Sequence, residues 1–193
     1  MSERASDTRL QILEAARGCL LAAGYAQLST RKVADAAGVP LSQIHYHFGG
    51  KQGLVLALLE HENTRLIGRQ RRMYADDVPL WKRYEQACDF LEDDIASGYV
   101  RVLQEMIAAG WSDAKVAHQV LALLQSWQAV LEEVAASAGN LLGPLSAEEA
   151  AALVGVSFLG GEAMILLGDK EWSRRVRTAL RALGKLIRHV EEA

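Results

Sequence analysis

Residues 30–48 read TRKVADAAGVPLSQIHYHF. Within them Ala34, Gly38 and Ile44 fall at the spacing Ala-x3-Gly-x5-Ile, that of a helix-turn-helix unit. Each residue type has a physical reason. A small Ala34 lets two helices cross closely. Gly38 takes the positive φ that a tight interhelical turn requires. Ile44, with Val33, points back into a small core. The spacing predicts one short helix from Ser29 or Thr30 to Ala37. A second follows through about His47, with Pro40 tolerated in its first turn. In such a unit the second helix lies in the DNA major groove and the first crosses the backbone. Many helical hairpins match the spacing by chance, so the flanking sequence has to decide.

Working outward, apolar spacing is helical almost everywhere and no alternating strand pattern persists. A first helix is expected from an N-cap near Asp7 to a stop before Gly24. Its inner face is Ile12, Leu13, Ala16, Leu20 and Ala23. After Gly49-Gly50 a long fourth helix runs from Lys51 to Tyr74. Asp76, Asp77 and Pro79 mark a turn and a boundary. Trp81, Tyr84, Cys88, Leu91 and Ile95 define the next helix, Gly98 opens another to about 109, and a long one follows over Val116–Val134. Gly139 to Pro144 is a loop. Ser146 with Glu149 reads as a capping box. That helix, to about Leu167, is apolar nearly all round. The last helix carries Val176, Leu180, Leu183, Ile187 and Val190 at 4-3-4-3 spacing. The fold class is all-α, with about nine helices. Residues 1–50 form a helix-turn-helix head, 51–74 a connecting helix, and 75–193 a helical-bundle body.

Composition agrees with a globular chain. The 193 residues are 50 % apolar and 23 % charged, which argues against disorder or a collagen-like chain. The three prolines leave long tracts open to helix. Cys19 and Cys88 sit in apolar helical patterns and read as small buried hydrophobes in a reducing compartment. The polar start at residues 1–9 argues against a signal peptide. The most apolar tract, 150–168, is interrupted by Glu162, so no bilayer span is expected. The expected location is the cytoplasm. Residues 1–72 carry 10 Lys/Arg against 6 Asp/Glu, and 73–193 carry 11 against 18. Residues 1–64 alone balance, so bulk charge is a poor pointer to the partner, and local placement matters more.

The stretch 8–59 resembles the TetR family of bacterial one-component regulators. ILEAA at 12–16, Gly24-Tyr25, STRKVADAAGV at 29–39, His-Tyr-His-Phe at 45–48 and Lys51 with Leu54 carry the resemblance. It implies a DNA-binding head joined by a fourth helix to a dimerising, ligand-binding body. The chain departs from the family's usual pattern at His45, where tyrosine is common, at Gly49-Gly50, and at Leu41, where many relatives have a polar residue.

Leu41, Ser42 and Gln43 open the recognition helix. Gln43 suits direct readout, because an amide pairs bidentately with adenine; Leu41 suits a thymine methyl. The plain alternative for Gln43 is a solvated helix residue. His45, Tyr46 and His47 suit phosphate contacts, although Tyr46 has packing against the fourth helix as an equal alternative. Thr30, Arg31 and Lys51 sit at helix N-termini, where phosphates bind. No metal is expected, since His45 and His47 lack a suitably spaced partner. Cofactors are expected to be none.

For the body, the resemblance implies a pocket among Trp81, Tyr84, Tyr99, Glu105, Met106, Trp111, His118 and Trp127, though a Trp or Met at helical spacing is often plain core. The all-round apolar helix 147–167 needs a partner for one face. Gly155, Phe158 and Gly161 on it, with Leu180, Leu183 and Ile187 on the last helix, are expected at a homodimer interface; the alternative is the chain's own core. The arginines of the last helix, and Arg65, Arg69 and Arg72, are expected to pair with acids rather than meet a membrane or DNA. No Glu-x-x-His, nucleophile-elbow or phosphate-loop sequence occurs, so no enzyme is expected. The reading is a regulator, chiefly a repressor, of a palindromic DNA operator, released by a small molecule. The alternatives are an activator of the same fold and a helical dimeric adaptor whose head does not bind DNA.

Overall fold

Glycines in the left-handed region separate most of the N-terminal helices. The computed structural model describes residues 3–75 and 78–193; the expected turn residues Asp76 and Asp77 lie outside the described residues. The helices are α1 (Glu3–Gln27), α2 (Thr30–Ala37), α3 (Leu41–Phe48), α4 (Lys51–Ala75), α5 (Leu80–Ser97), α6 (Tyr99–Gly110), α7 (Ala114–Ala138), α8 (Ala147–Leu166) and α9 (Lys170–Glu191). A short 3-10 turn, Gly139–Leu142, falls in the expected loop. The fold is all-α, as the periodicity predicts. Helix α1 starts at Glu3, ahead of the expected cap, so Asp7 lies inside it. The predicted stop is present as a break: Gly24 leaves helical geometry at φ 76° and ψ 167°.

The chain packs as two units. The first comprises Met1–Thr64 with Gly98–Leu121, the second Arg65–Ser97 with Ala122–Ala193. The division expected at residue 50 follows role. Packing instead groups α6 and the start of α7 with the head, for reasons visible in the side chains. Arg101 donates to the Leu21 carbonyl at 3.0 Å. Glu105 accepts the Tyr25 backbone N–H. Gln52 donates to Asp113 at 2.6 Å. Gly98 is needed here too: with φ at +83°, any Cβ would stand 2.0 Å from a Leu21 methyl.

In the first unit Ile12, Leu13, Ala16 and Leu20 are buried, as expected, with Val33, Ala34, Ile44, Leu54 and Leu58. Ala23 is half-buried. In the second unit α9 packs on α5 and α8. Glu191, near the end of α9, accepts the backbone N–H groups of Leu80 (2.8 Å) and Trp81 (3.1 Å) and so caps α5 across the unit. The capping box of α8 is complete: Glu149 N–H donates to Ser146 Oγ at 3.1 Å, and Ser146 N–H to Glu149 Oε2 at 2.8 Å. By length and composition α8 is the one helix among the described residues able to cross a bilayer. Ala151, Gly155, Phe158, Gly161, Glu162 and Ile165 on it are instead buried within the chain.

Arg69 and the arginines at 174, 175, 177, 181 and 188 pair with acids. Arg177 pairs with Glu92 and Arg181 with Asp89, both at 2.6 Å, while Arg174 and Arg175 share Glu171. Arg69 pairs with Asp94 at 2.5 Å and lies over the Phe90 ring. Arg71 pairs with Glu133 at 3.2 Å. Most of these pairs are solvent-facing and worth little each. They consume the cationic stripe rather than hold the fold.

Both cysteines are free, Cys88 buried and Cys19 half-buried. Burial pushes the Cys88 thiol up to about 11, so the thiolate is scarce at neutral pH. At pH 8 a thiol reagent should label at most one cysteine in the native protein and both in denaturant. Rapid labelling of two native thiols would contradict this burial. Ile44→Ala should lower stability by about 2–5 kcal/mol in denaturant titration, through the cavity it leaves.

Candidate nucleic-acid interface

Helix α2 ends because Gly38 enters the left-handed region at φ 64° and ψ 30°. There Val39 N–H donates to Ala34 O at 3.0 Å, and Gly38 N–H to Asp35 O at 3.2 Å. Pro40, extended at φ −60° and ψ 142°, opens α3. Gly49, left-handed at φ 73°, closes it, with its N–H on the His45 carbonyl at 2.9 Å. Ile44 and Val33 are fully buried, so α2 and α3 cross as the spacing predicts.

Burial of Ile44 fixes which face of α3 turns outward. Ser42, His45 and Tyr46 are exposed, while Leu41, Gln43 and His47 are half-buried. Tyr46 is 79 % exposed, so it does not pack on α4; it meets His47 edge-on at 4.9 Å. On α2, Arg31 is exposed and Thr30 half-buried. Lys32, beside Arg31 and equally exposed, is a cation the sequence reading passed over. Lys51 does not stand free: its Nζ donates to the Ala26 carbonyl at 3.3 Å and lies 4.5 Å from the Tyr25 ring centre. Arg9 lies over Phe48 at 5.6 Å, tying α1 to the end of α3.

One constraint escaped the sequence reading. Gly53 lies in the first turn of α4, and a Cβ there would stand 2.0 Å from the Phe48 carbonyl oxygen. Only glycine lets α4 start against the end of α3. A glycine at the third position of a helix is a poor helix former, and that was the available signal.

The residues expected around a ligand fall in both packing units. Tyr99, Glu105, Met106, Trp111 and His118 belong to the first unit, and Trp81, Tyr84 and Trp127 to the second. Glu105 accepts from the Tyr25 backbone N–H and from Arg101 at 3.1 Å, and it borders a cavity of the first unit with Tyr25, Gln52 and Asp113. Met106 is core at 0 % exposure, and the Tyr99 hydroxyl donates to Asn63 at 3.2 Å. Trp111 is 83 % exposed and His118 is exposed. Trp81 lies under Arg188, whose guanidinium is 4.6 Å from its ring centre. Trp127 and Tyr84 both meet Phe158 edge-on. Tyr84 alone of the eight borders the cavity between α5, α7, α8 and α9. Asp113, unlike these, was not singled out; hydrogen bonds from Val116 N–H and from Gln52 hold its carboxyl below the usual range. Among the described residues no group of three His, Cys, Asp or Glu is placed to hold a metal ion.

The expected interface residues also turn inward. Phe158 packs between Tyr84 and Trp127. Gly155 lies against Gln128 and Trp127, and Gly161 against Leu180 and Val176. Leu180 is buried, and Leu183 and Ile187 line the same cavity as Tyr84. Small residues allowed close approach, as argued, but to helices of the same chain. The apolar face left outside is a different one: Leu153, Val156 and Met164 on α8, with Leu186 and Val190 on α9.

Such a hairpin of short helices, buried through Ala34 and Ile44 and exposing α3, defines the class of helix-turn-helix DNA-binding modules. Residues 12–58 match the family model for bacterial regulatory proteins of the tetR family. The transcriptional repressor AcnR of Corynebacterium glutamicum is 34 % identical over 64 residues, 33 % of this chain and 34 % of that protein. The chain thus spans about a third of that relative's length in the match. Solved structures share the whole fold. A TetR-family transcriptional regulator from Agrobacterium tumefaciens superposes with a TM-score of 0.74 at 18 % identity, covering 92 % of this chain and 97 % of that one. SmeT in complex with triclosan does so with 0.72 at 17 %, covering 92 % and 90 %.

Gly53→Ala should destabilise the protein by about 1–3 kcal/mol, as overpacking against backbone does. Unchanged thermal stability would show that the α3–α4 junction yields more readily than its geometry indicates.

Proposed function

We propose that the protein is a sequence-specific DNA-binding transcriptional regulator, a homodimeric repressor released from a palindromic operator by a small molecule. The carrying observation is the outward face of α3, with Ser42, His45 and Tyr46 exposed, together with exposed Arg31 and Lys32 on α2. The similarity of the head to known repressors supports the same reading. Residues 1–50 would meet DNA, 51–74 connect, and 75–193 pair subunits and bind ligand. No enzymatic role is proposed. Such a regulator works in the cytoplasm, where bacterial DNA lies.

In this reading α3 enters the major groove. Gln43 reads a base edge, and Leu41 meets a thymine methyl. Thr30, Arg31, Lys32, Tyr46 and the two histidines contact phosphates, which position the head without reading sequence. Lys51 shapes the α1–α4 corner. One head offers little surface, so two are needed, with half-sites about 34–36 Å apart or a multiple of that.

Pairing falls to the exposed apolar face of α8 and α9, where Leu153 is 57 %, Val156 70 % and Leu186 62 % exposed. Large apolar side chains exposed together on a helix face suit an interaction surface. A two-fold pairing buries the same patch on both copies. The small molecule acts by binding one arrangement of the paired subunits better than the other. A ligand-bound relative fold, SmeT with triclosan, supports a small-molecule role for the body.

Mobility shifts with DNA flanking the gene, backed by selection from a random pool, test the DNA reading. A salt-sensitive, sequence-selective complex is expected. Its absence from every pool would leave an adaptor with a silent head. Gln43→Ala should cost about 1–3 kcal/mol on the best site and relax one position. Removing both Arg31 and Lys32 should weaken all sites alike and flatten the salt slope by about one for each phosphate no longer neutralised. Val156→Asp should convert the dimer to monomer in light scattering and abolish operator binding; a persistent dimer would move the interface elsewhere.

A further inference from the structure

The second unit holds a cavity of about 260 Å3. Buried Tyr84, Leu131, Ala135 and Ala151 form its inner wall. Exposed Leu145, Leu153, Leu186 and Val190 form its rim. Seventeen residues line it, none of them charged, and the polar side-chain atoms among them are two phenol oxygens. One is spent: Tyr84 donates to the Leu180 carbonyl at 3.0 Å. The other belongs to Tyr74, a phenol neutral at physiological pH, which burial pushes up further, to about 12.

We infer that this cavity binds a small, uncharged, apolar molecule with an aromatic or alicyclic skeleton, and that it is the effector site. The inference rests on the reading of the chain as a ligand-controlled regulator. A dry apolar cavity of about 150 Å3 takes benzene, so by proportion this one takes roughly ten non-hydrogen atoms. A carboxylate or ammonium group would lose its hydration here and meet no counter-charge. The occupant is therefore recognised by shape and apolar surface. Its position also supplies a route to the heads. Leu153 and Leu186 belong both to the cavity rim and to the proposed pairing face. Filling the mouth alters how α8 and α9 present themselves to a second copy.

Calorimetric titration of the full chain tests this, with naphthalene as the neutral probe and 1-naphthoate as its charged counterpart. Naphthalene should bind saturably, one per chain, and naphthoate at least tenfold more weakly. Ala150→Leu, which fills the wall, should weaken naphthalene binding at least tenfold. Should that variant fail to fold, Leu145→Asp places a carboxylate on the exposed rim and should weaken it likewise. No saturable binding, equal affinity for naphthoate, or undiminished binding in both variants would overturn the site. Binding seen only in monomeric Val156→Asp would overturn it too, by showing that a second copy fills the mouth. Mobility shifts separate this from the broader reading. Naphthalene binding by a chain that selects no DNA upholds the cavity and removes the regulator. Operator release by another compound, insensitive to both cavity variants, does the reverse.

Discussion

Between Phe48 and Gly53 the backbone doubles back so closely that no side chain fits at residue 53. Everything the head presents depends on that junction. Gly49 ends α3 in the left-handed region, Gly50 continues at φ 144°, and α4 begins one residue later. The end of the recognition helix is thereby fixed relative to the first turn of α4. At the other end of α3, Gly38 and Pro40 set the angle to α2. Within α3 only Ile44 is fully buried. A helix of eight residues has little stability of its own, so its direction is imposed by these two corners and one buried side chain.

A second layer of constraint comes from residues distant in sequence. The break at Gly24 leaves Tyr25 N–H without a partner inside α1, as at any helix end. Glu105 of α6 accepts it, and Arg101 beside Glu105 holds the Leu21 carbonyl. Gln52, one residue into α4, is tied to Asp113 ahead of α7. Charge-assisted hydrogen bonds of this kind are stronger than neutral ones. Helices α6 and α7 therefore grip both α1 and α4 near the head.

The helices and the helix-turn-helix were legible because they are local. Ala34, Gly38 and Ile44 act within one pair of short helices, and the Ser146–Glu149 box lies within four residues. Exposure of Arg31 and Tyr46 needed more, since a helix residue can face solvent or a neighbour with equal local preference. The pocket was the least legible part. Trp, Tyr and Met at helical spacing serve equally well as core, and Met106 and Tyr99 are consumed in that way. The cavity between α5, α7, α8 and α9 is lined chiefly by Leu, Ala, Val and Ile, residues that carry no distinguishing signal.

The interface shows the division most clearly. Periodicity alone determined that α8 is apolar on every side and that one side must lie outside its own core. It also determined that glycines there permit close approach. Which side faces inward was settled only by the tertiary structure. Gly155, Phe158 and Gly161 went to Trp127, Tyr84 and Leu180 of the same chain, leaving Leu153, Val156 and Met164 outside. The reason is physical. A helix without a polar face has no preferred rotation of its own, so the shapes of the neighbouring helices choose it.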